Sequence, residues 1–187
     1  MIEMKKAVIV VDVQNDFIGG SLGFPGREEV VPVCNRYIKE ARQCGDLVVL
    51  TRDWHPPNSS HFAEYGGDWP LHCVAGTRGA EFHPDLDTDG AIVVSKGVGA
   101  DEDAYSGFEG KTEDGLSLRE LLMSRCVGTV LIMGLCTDFC VRATALDAAR
   151  DFDVKVILAG CRAVNIGAGD EERAVRDMRS AGCEIVV

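Results

Sequence analysis

Six short apolar runs punctuate the chain, separated by stretches with helical periodicity. The runs are Lys6–Val13, Asp46–Arg52, Ala91–Lys96, Gly128–Gly134, Val154–Gly160 and Cys183–Val187; they are rich in Val and Ile and apolar at consecutive positions. Consecutive rather than alternating apolarity predicts strands covered on both faces. Helix signals lie between them. Pro32 suits a first turn, Tyr37, Ile38 and Ala41 continue one face, and Gly45 stops it. Ser117 and Glu120 form a capping box ahead of Leu121 and Leu122. Val141, Ala145, Leu146 and Ala149 recur at helical spacing, so a helix starts near Thr137 or Asp138. Asp170 caps a helix that buries Ala174, Val175, Met178 and Ala181, with Gly182 just past its end. Strand and helix alternating in this way predict an α/β fold with a parallel sheet and right-handed crossovers.

The rhythm fails once. Trp54 to Asp89 holds four of the six prolines, all four histidines and both tryptophans, with no sustained period. So long an irregular loop in a compact chain is functional or disordered, and these side chains argue for an ordered one. At 187 residues the whole chain, 1–187, reads as one domain, with this loop at about 53–90 as its irregular insertion.

Charge narrows the partners. The 19 basic and 30 acidic side chains leave a net charge of −11, the wrong sign for tracking phosphates, so nucleic acid is not expected. The run Ala7–Val11 ends at Asp12, far short of the roughly 18 residues of a membrane span, and no segment reads as an export signal. Eight cysteines in a chain long enough to build a core read as reduced thiols, which predicts a cytoplasmic location.

In open α/β sheets ligands bind beyond the carboxyl ends of the strands. Four such ends carry reactive groups: Asp12, Asp53 followed by Trp54 and His55, Lys96, and the segment Gly134 to Val141. Cys140 falls in the first turn of its helix, where unpaired N–H groups favour a thiolate. A thiol nucleophile needs a proton acceptor and a cation, and Asp12 and Lys96 supply them without a histidine. Each also has a plain alternative: a small buried cysteine, a turn aspartate, a solvated lysine. Asp53 and His55 point to one side of an extended segment, and His61 and His72 would complete a mixed oxygen–nitrogen set suited to Zn, Mn or Fe. The alternative is a turn aspartate with solvated loop histidines, and His83 has no evident partner.

Together these residues resemble the nicotinamidase/pyrazinamidase branch of the isochorismatase-like cysteine hydrolases. The resemblance spans nearly the whole chain. It rests on Asp12-Val-Gln-Asn-Asp-Phe17, on Asp53-Trp-His55 with His61, and on Trp69-Pro-Leu-His72-Cys-Val-Ala-Gly-Thr77. Lys96-Gly97 with Tyr105-Ser-Gly-Phe108, and Gly134-Leu-Cys-Thr-Asp-Phe-Cys140-Val141, complete it. It implies a three-layer α/β/α sandwich, Rossmann-like, with a six-stranded parallel sheet in the order 3-2-1-4-5-6. It further implies hydrolysis of nicotinamide to nicotinate and ammonia, and of pyrazinamide, in the salvage of nicotinamide toward NAD. Asp12, Lys96 and Cys140 match the family's catalytic residues, and Asp53, His55, His61 and His72 its ligands for one divalent ion, zinc first and Fe or Mn next. Phe17, Trp69 and Tyr105 match positions that flank the ring. Backbone N–H groups of Cys136 and Cys140 match the oxyanion site, with a cis peptide expected at Leu135–Cys136. Small enzymes of this type often pair, so a homo-oligomer is open.

Cysteine stands at 136 where the family often has alanine, and a reversible disulfide with Cys140 would silence the nucleophile. On the same fold, the alternative is hydrolysis of another small amide, an N-carbamoyl or ureido compound. Isochorismate cleavage fits less well because that branch lacks the nucleophilic cysteine. An aspartate-based phosphatase would need a second carboxylate two residues after Asp12, and a redox protein a C-x-x-C where this chain has three residues between Cys136 and Cys140. A binding module that uses its metal site structurally is the remaining class.

Overall fold

The computed structural model describes residues 4–187. Seven strands form one sheet: β1 (Lys5–Val11), β2 (Leu47–Asp53), β3 (Ile92–Lys96), β4 (Lys111–Thr112), β5 (Val127–Leu135), β6 (Asp153–Arg162) and β7 (Glu184–Val186). Their order is β4-β3-β2-β1-β5-β6-β7. All neighbours pair in parallel except β4, which lies antiparallel on β3 through Val94–Thr112 and Ser95–Lys111. The six parallel strands follow the expected order 3-2-1-4-5-6. The two-residue edge strand β4 was not expected from the sequence, because two residues are too few to carry a period.

Burial in the last five positions of β1 is continuous, Ala7 to Val11, and this requires cover on both faces of the sheet. Helix α2 (Val30–Cys44) packs on β1, β2 and β6 and turns Val30, Val31, Cys34, Ile38 and Ala41 inward. Helix α3 (Leu118–Ser124) lies within the return crossing from β3 to β5, α4 (Arg142–Ala148) and α5 (Asp170–Ser180) follow it, and right-handed crossovers put all three on the opposite face. The short helix α1 (Asn15–Ile18) continues from the end of β1. The Ser117–Glu120 capping box forms as read, and Gly45 closes α2 in the left-handed conformation. The start of α5 differs: Gly169 holds the cap position and Asp170 is the first helical residue, accepting a hydrogen bond from the Gly167 N–H at 2.5 Å. Ala174 and Met178 are buried there, whereas Ala181 is exposed past the helix end.

The strand read as Lys6–Val13 stops at Val11, because Asp12 takes φ +50° and leaves the sheet. Aspartate is among the few side chains that visit this region readily. Next to it, Val11 pairs with Thr51 on one side and with Gly134 on the other. Gly134 has φ +126°, and a Cβ there would sit 2.1 Å from the Val11 carbonyl oxygen. Only glycine lets β1 and β5 come this close at the point where the chain reverses its direction across the sheet. Gly134→Ala is therefore expected to cost about 3 kcal/mol of stability, from a strained φ together with overpacking. Urea unfolding measures it, and a loss under about 0.5 kcal/mol would contradict the close-approach argument.

Candidate active site

The carboxyl ends of β1, β2, β3 and β5 converge on one small cavity. Its floor is a buried charge cluster. Asp53 and Lys96 are register partners on β2 and β3, and their side chains form a buried ion pair. The Lys96 Nζ also lies 2.9 Å from Asp12 Oδ2 and 3.5 Å from the Cys140 Sγ, and it donates to the Ala104 carbonyl at 3.3 Å. Asp12 Oδ1 accepts from the Thr51 hydroxyl at 2.6 Å. Asp12 Oδ2, by contrast, has no well-directed hydrogen bond among the described residues and keeps a lone pair open, and the Asp12 carboxylate comes within 4.8 Å of the Cys140 Sγ. Asp12, Lys96 and Cys140 are all buried, so Lys96 is not a solvated side chain.

Burial and charge set the protonation states. Burial would lower Lys96, but the Asp12 and Asp53 carboxylates outweigh it and hold the ammonium well above its usual range. Burial would likewise raise Asp53, yet Lys96 and His55 keep its carboxyl below the ordinary range. Asp12 is raised, chiefly by burial and further by the Asp53 charge. The Cys140 thiol is pushed well up by burial, with Lys96 only partly offsetting it. Burial thus opposes the thiolate that the helix end favours. Cys140 lies in a π-type turn, Thr137–Val141, ahead of α4, and desolvation there outweighs the helix-end field. The Leu135–Cys136 peptide is cis, and Cys136 and Cys140 are both buried free thiols.

Above this floor stand His55, His61 and His72, buried, with one ring nitrogen of each within 4.8 Å of the others. Each Nδ1 faces an oxygen: Gly97 O at 3.1 Å for His55, the Asp103 carboxylate for His61, and Pro70 O at 2.7 Å for His72. Each ring therefore donates Nδ1–H to that oxygen and turns the Nε2 lone pair toward the others, the arrangement found around protein-bound metals. His55 Nε2 is buried with no partner among the described residues, an orphan that a cation would satisfy. Asp53 Oδ2 lies 3.7 Å from His55 Nε2 and 4.0 Å from His72 Nε2. Burial lowers His72 to about 4, so its ring is neutral and metal-competent at neutral pH. Three imidazoles and a carboxylate fit a divalent ion. Gly97 is needed for the set, since a Cβ there would lie 2.4 Å from the His55 ring. His83 stays outside, accepting a turn hydrogen bond from the Asp85 N–H at 3.2 Å.

The walls are aromatic. Phe17, Trp69 and Tyr105 all line the cavity, with Phe139, Leu22, Ala104 and Val164. Trp69 Nε1 donates to the Tyr105 hydroxyl at 2.8 Å, and the Trp69 and Phe139 rings meet edge to face at 5.0 Å.

Several contributors were not read from the sequence. Thr51 sits two residues before Asp53 on one strand, so its shared face was available from strand period alone. Gln14 fastens the segment at the end of β1 to the end of β2, accepting from the Asp53 N–H and donating to the Asp53 carbonyl, both at 2.8 Å. Asp16 accepts from the Cys73 N–H at 2.8 Å and so holds the His72 loop. Asp103 and Arg27 carried no sequence signal: one is an acid in an acidic loop, the other an arginine beside two glutamates.

Fold and site together define a parallel α/β protein with a buried lysine–carboxylate–thiol cluster beneath a metal-competent histidine set. The chain belongs to the isochorismatase family: the isochorismatase domain model matches residues 6–186. It is 42% identical over 185 residues to the nicotinamidase/pyrazinamidase of Mycobacterium tuberculosis, covering 97% of this chain and 98% of that protein. It is 36% identical over 199 residues to the nicotinamidase of Escherichia coli, covering 96% and 93%. Among solved structures, the pyrazinamidase of Pyrococcus horikoshii in complex with zinc superposes with a TM-score of 0.89 at 44% identity, covering 97% of this chain and 98% of that one. PnC1 from L. infantum in complex with nicotinate gives 0.87 at 34% identity, covering 98% and 92%. Among the described residues no helix is long and apolar enough to cross a membrane.

The Asp103 contact generates a prediction. Asp103→Ala leaves the three rings in place but removes the acceptor that orients His61. Zinc affinity, measured by competition with a chromophoric chelator, is expected to fall at least about tenfold, the lower end for such partners. Unchanged affinity would mean that the contact does not orient the ring for a metal.

Proposed function

We propose that this chain is a metal-dependent amidohydrolase that converts nicotinamide to nicotinate and ammonia, and accepts pyrazinamide, through a thioester on Cys140. The observation that carries the reading is the Lys96 ammonium held between Asp12 and the Cys140 sulfur beneath an aromatic-walled cavity. The names of the M. tuberculosis and E. coli relatives support the substrate class. The zinc complex of the P. horikoshii neighbour supports zinc as the ion.

Asp12, Lys96 and Cys140 are the catalytic residues in this reading. The thiol rests protonated, so the nucleophile forms only as Asp12 Oδ2 takes its proton and sulfur attacks the carboxamide carbon. The tetrahedral oxyanion is met by the Cys136 and Cys140 backbone N–H groups, a contribution of about 3–4 kcal/mol per donor in comparable hydrolases. As the carbon–nitrogen bond breaks, Asp12 returns the proton to the leaving nitrogen and ammonia departs. The raised affinity of Asp12 for protons suits this second step. Water then loses a proton to Asp12 and attacks the thioester, the carbon–sulfur bond breaks, and the thiolate recovers the proton. Lys96 stays charged throughout, orienting Asp12 and lowering the cost of negative charge on sulfur. Phe17, Trp69 and Tyr105 flank the ring. Asp53, His55, His61 and His72 hold the divalent ion, which when bound supplies a coordination point for the ring nitrogen and sets its distance from Cys140. Eight free thiols fit a reducing compartment, and we assign the reaction to the cytoplasm.

Ammonia release from nicotinamide by the zinc-loaded protein tests the reading. Turnover is expected, with Cys140→Ala slower by about 10⁴-fold or more. Equal rates in the two proteins would sink the thiol mechanism. Turnover of a carbamoyl or ureido compound but not of nicotinamide would overturn the substrate while leaving the thiol in place.

A further inference from the structure

One charged group in the cavity wall takes no part in the chemistry above. Arg27 precedes α2 and is only 2% exposed, yet it has no carboxylate partner among the described residues. Its Nη1 is anchored, donating to the Phe17 carbonyl at 2.8 Å and the Leu22 carbonyl at 2.6 Å. Its guanidinium carbon lies 3.7 Å from the centre of the Phe24 ring. The other two nitrogens, Nε and Nη2, are buried and unpartnered among the described residues. Asp138, the carboxylate whose charge acts on it, is already engaged, accepting from the Val164 and Asn165 N–H groups at 2.9 and 2.8 Å.

A buried cation without a counter-ion is costly, and so is a buried N–H without an acceptor. Nε–H and Nη2–H point the same way from a planar guanidinium and form the edge that receives a carboxylate with two parallel hydrogen bonds. The arginine is therefore held by its Nη1 corner with its carboxylate-binding edge unpartnered among the described residues, and it lines the cavity with Phe17, Leu22, Cys136 and Val164. We propose that Arg27 is a specificity-determining residue that binds a carboxylate carried by the substrate, so that this enzyme hydrolyses small amides bearing a second acidic group as well as the plain ring amide. The inference deepens the amidase reading and rests on it for turnover.

The test compares nicotinamide with nicotinamides carrying a carboxylate at ring position 2, 5 or 6, and with maleamate as an open-chain member. Wild type is expected to turn over at least one of the acidic amides. Arg27→Met, which keeps the length and loses the charge, is expected to lower the ratio of its kcat/KM to that of nicotinamide by about 30-fold or more, mainly through KM. Arg27→Lys keeps the charge without the fork and is expected to lower the ratio about tenfold; it carries the comparison alone if the methionine variant does not fold. An unchanged ratio in the variants, or no turnover of any acidic amide by wild type, would overturn the proposal. If nicotinamide itself is not hydrolysed, the amidase reading fails separately. Calorimetric binding of the same amides to Cys140→Ala, with and without Arg27→Met, then decides the subsite: loss of affinity on removing the guanidinium supports it, and equal affinity overturns it.

Discussion

The Lys96 ammonium, wholly buried and held by two carboxylates and a thiol, is the interaction on which the rest of the site depends. Two carboxylates this close would not both stay ionised without it. Removing one partner from such a cluster leaves an uncompensated buried charge, typically costing about 3–5 kcal/mol. The lysine also divides the two acids by task. Its pairing keeps Asp53 ionised, whereas Asp12, more strongly governed by desolvation, is raised and fit to carry a proton. Similar side chains thus acquire different chemistry from one cation.

Asp53 joins the two halves of the site. One carboxylate oxygen faces Lys96 and the other faces His55 and His72, so any ion held by the histidines and the ammonium beneath share one anion. The backbone supports this sharing. Gln14 clamps the Asp53 peptide from both sides, and Gly97 leaves room for the His55 ring while its carbonyl fixes that ring's proton. Geometry at the metal set and geometry at the thiol are consequently tied through the ends of β1, β2 and β3. The position is set by topology, because the chain leaves β1 in one direction and returns to β5 on its other side, opening the crevice there.

Much of this was legible in the chain itself. Consecutive apolar runs identified the six parallel strands because a sheet covered on both faces admits no alternation. Asp12, Asp53, Lys96 and Cys140 stand out because reactive side chains lie at or just beyond the ends of four of the runs, and the spacing of the intervening motifs resembles a family with this strand order. Strand ends were less legible. Asp12 leaves β1 two residues before the apolar pattern stops, and β4 is too short to have a pattern at all.

What the sequence determined by itself, then, is the periodic and the contiguous: strand and helix identity, the cap at Ser117, and the residue types available for chemistry. Tertiary structure alone decided the protonation of Cys140, the orientation of His61 by Asp103, and the unpartnered edge of Arg27. The physical reason is common to all three. Desolvation and pairing depend on distances between residues far apart in the chain, and local propensity holds no record of them. Nothing near Arg27 in sequence distinguishes it from a solvated helix-start arginine. Only packing reveals that its Nη1 reaches the Phe17 and Leu22 carbonyls while its other edge remains unpartnered.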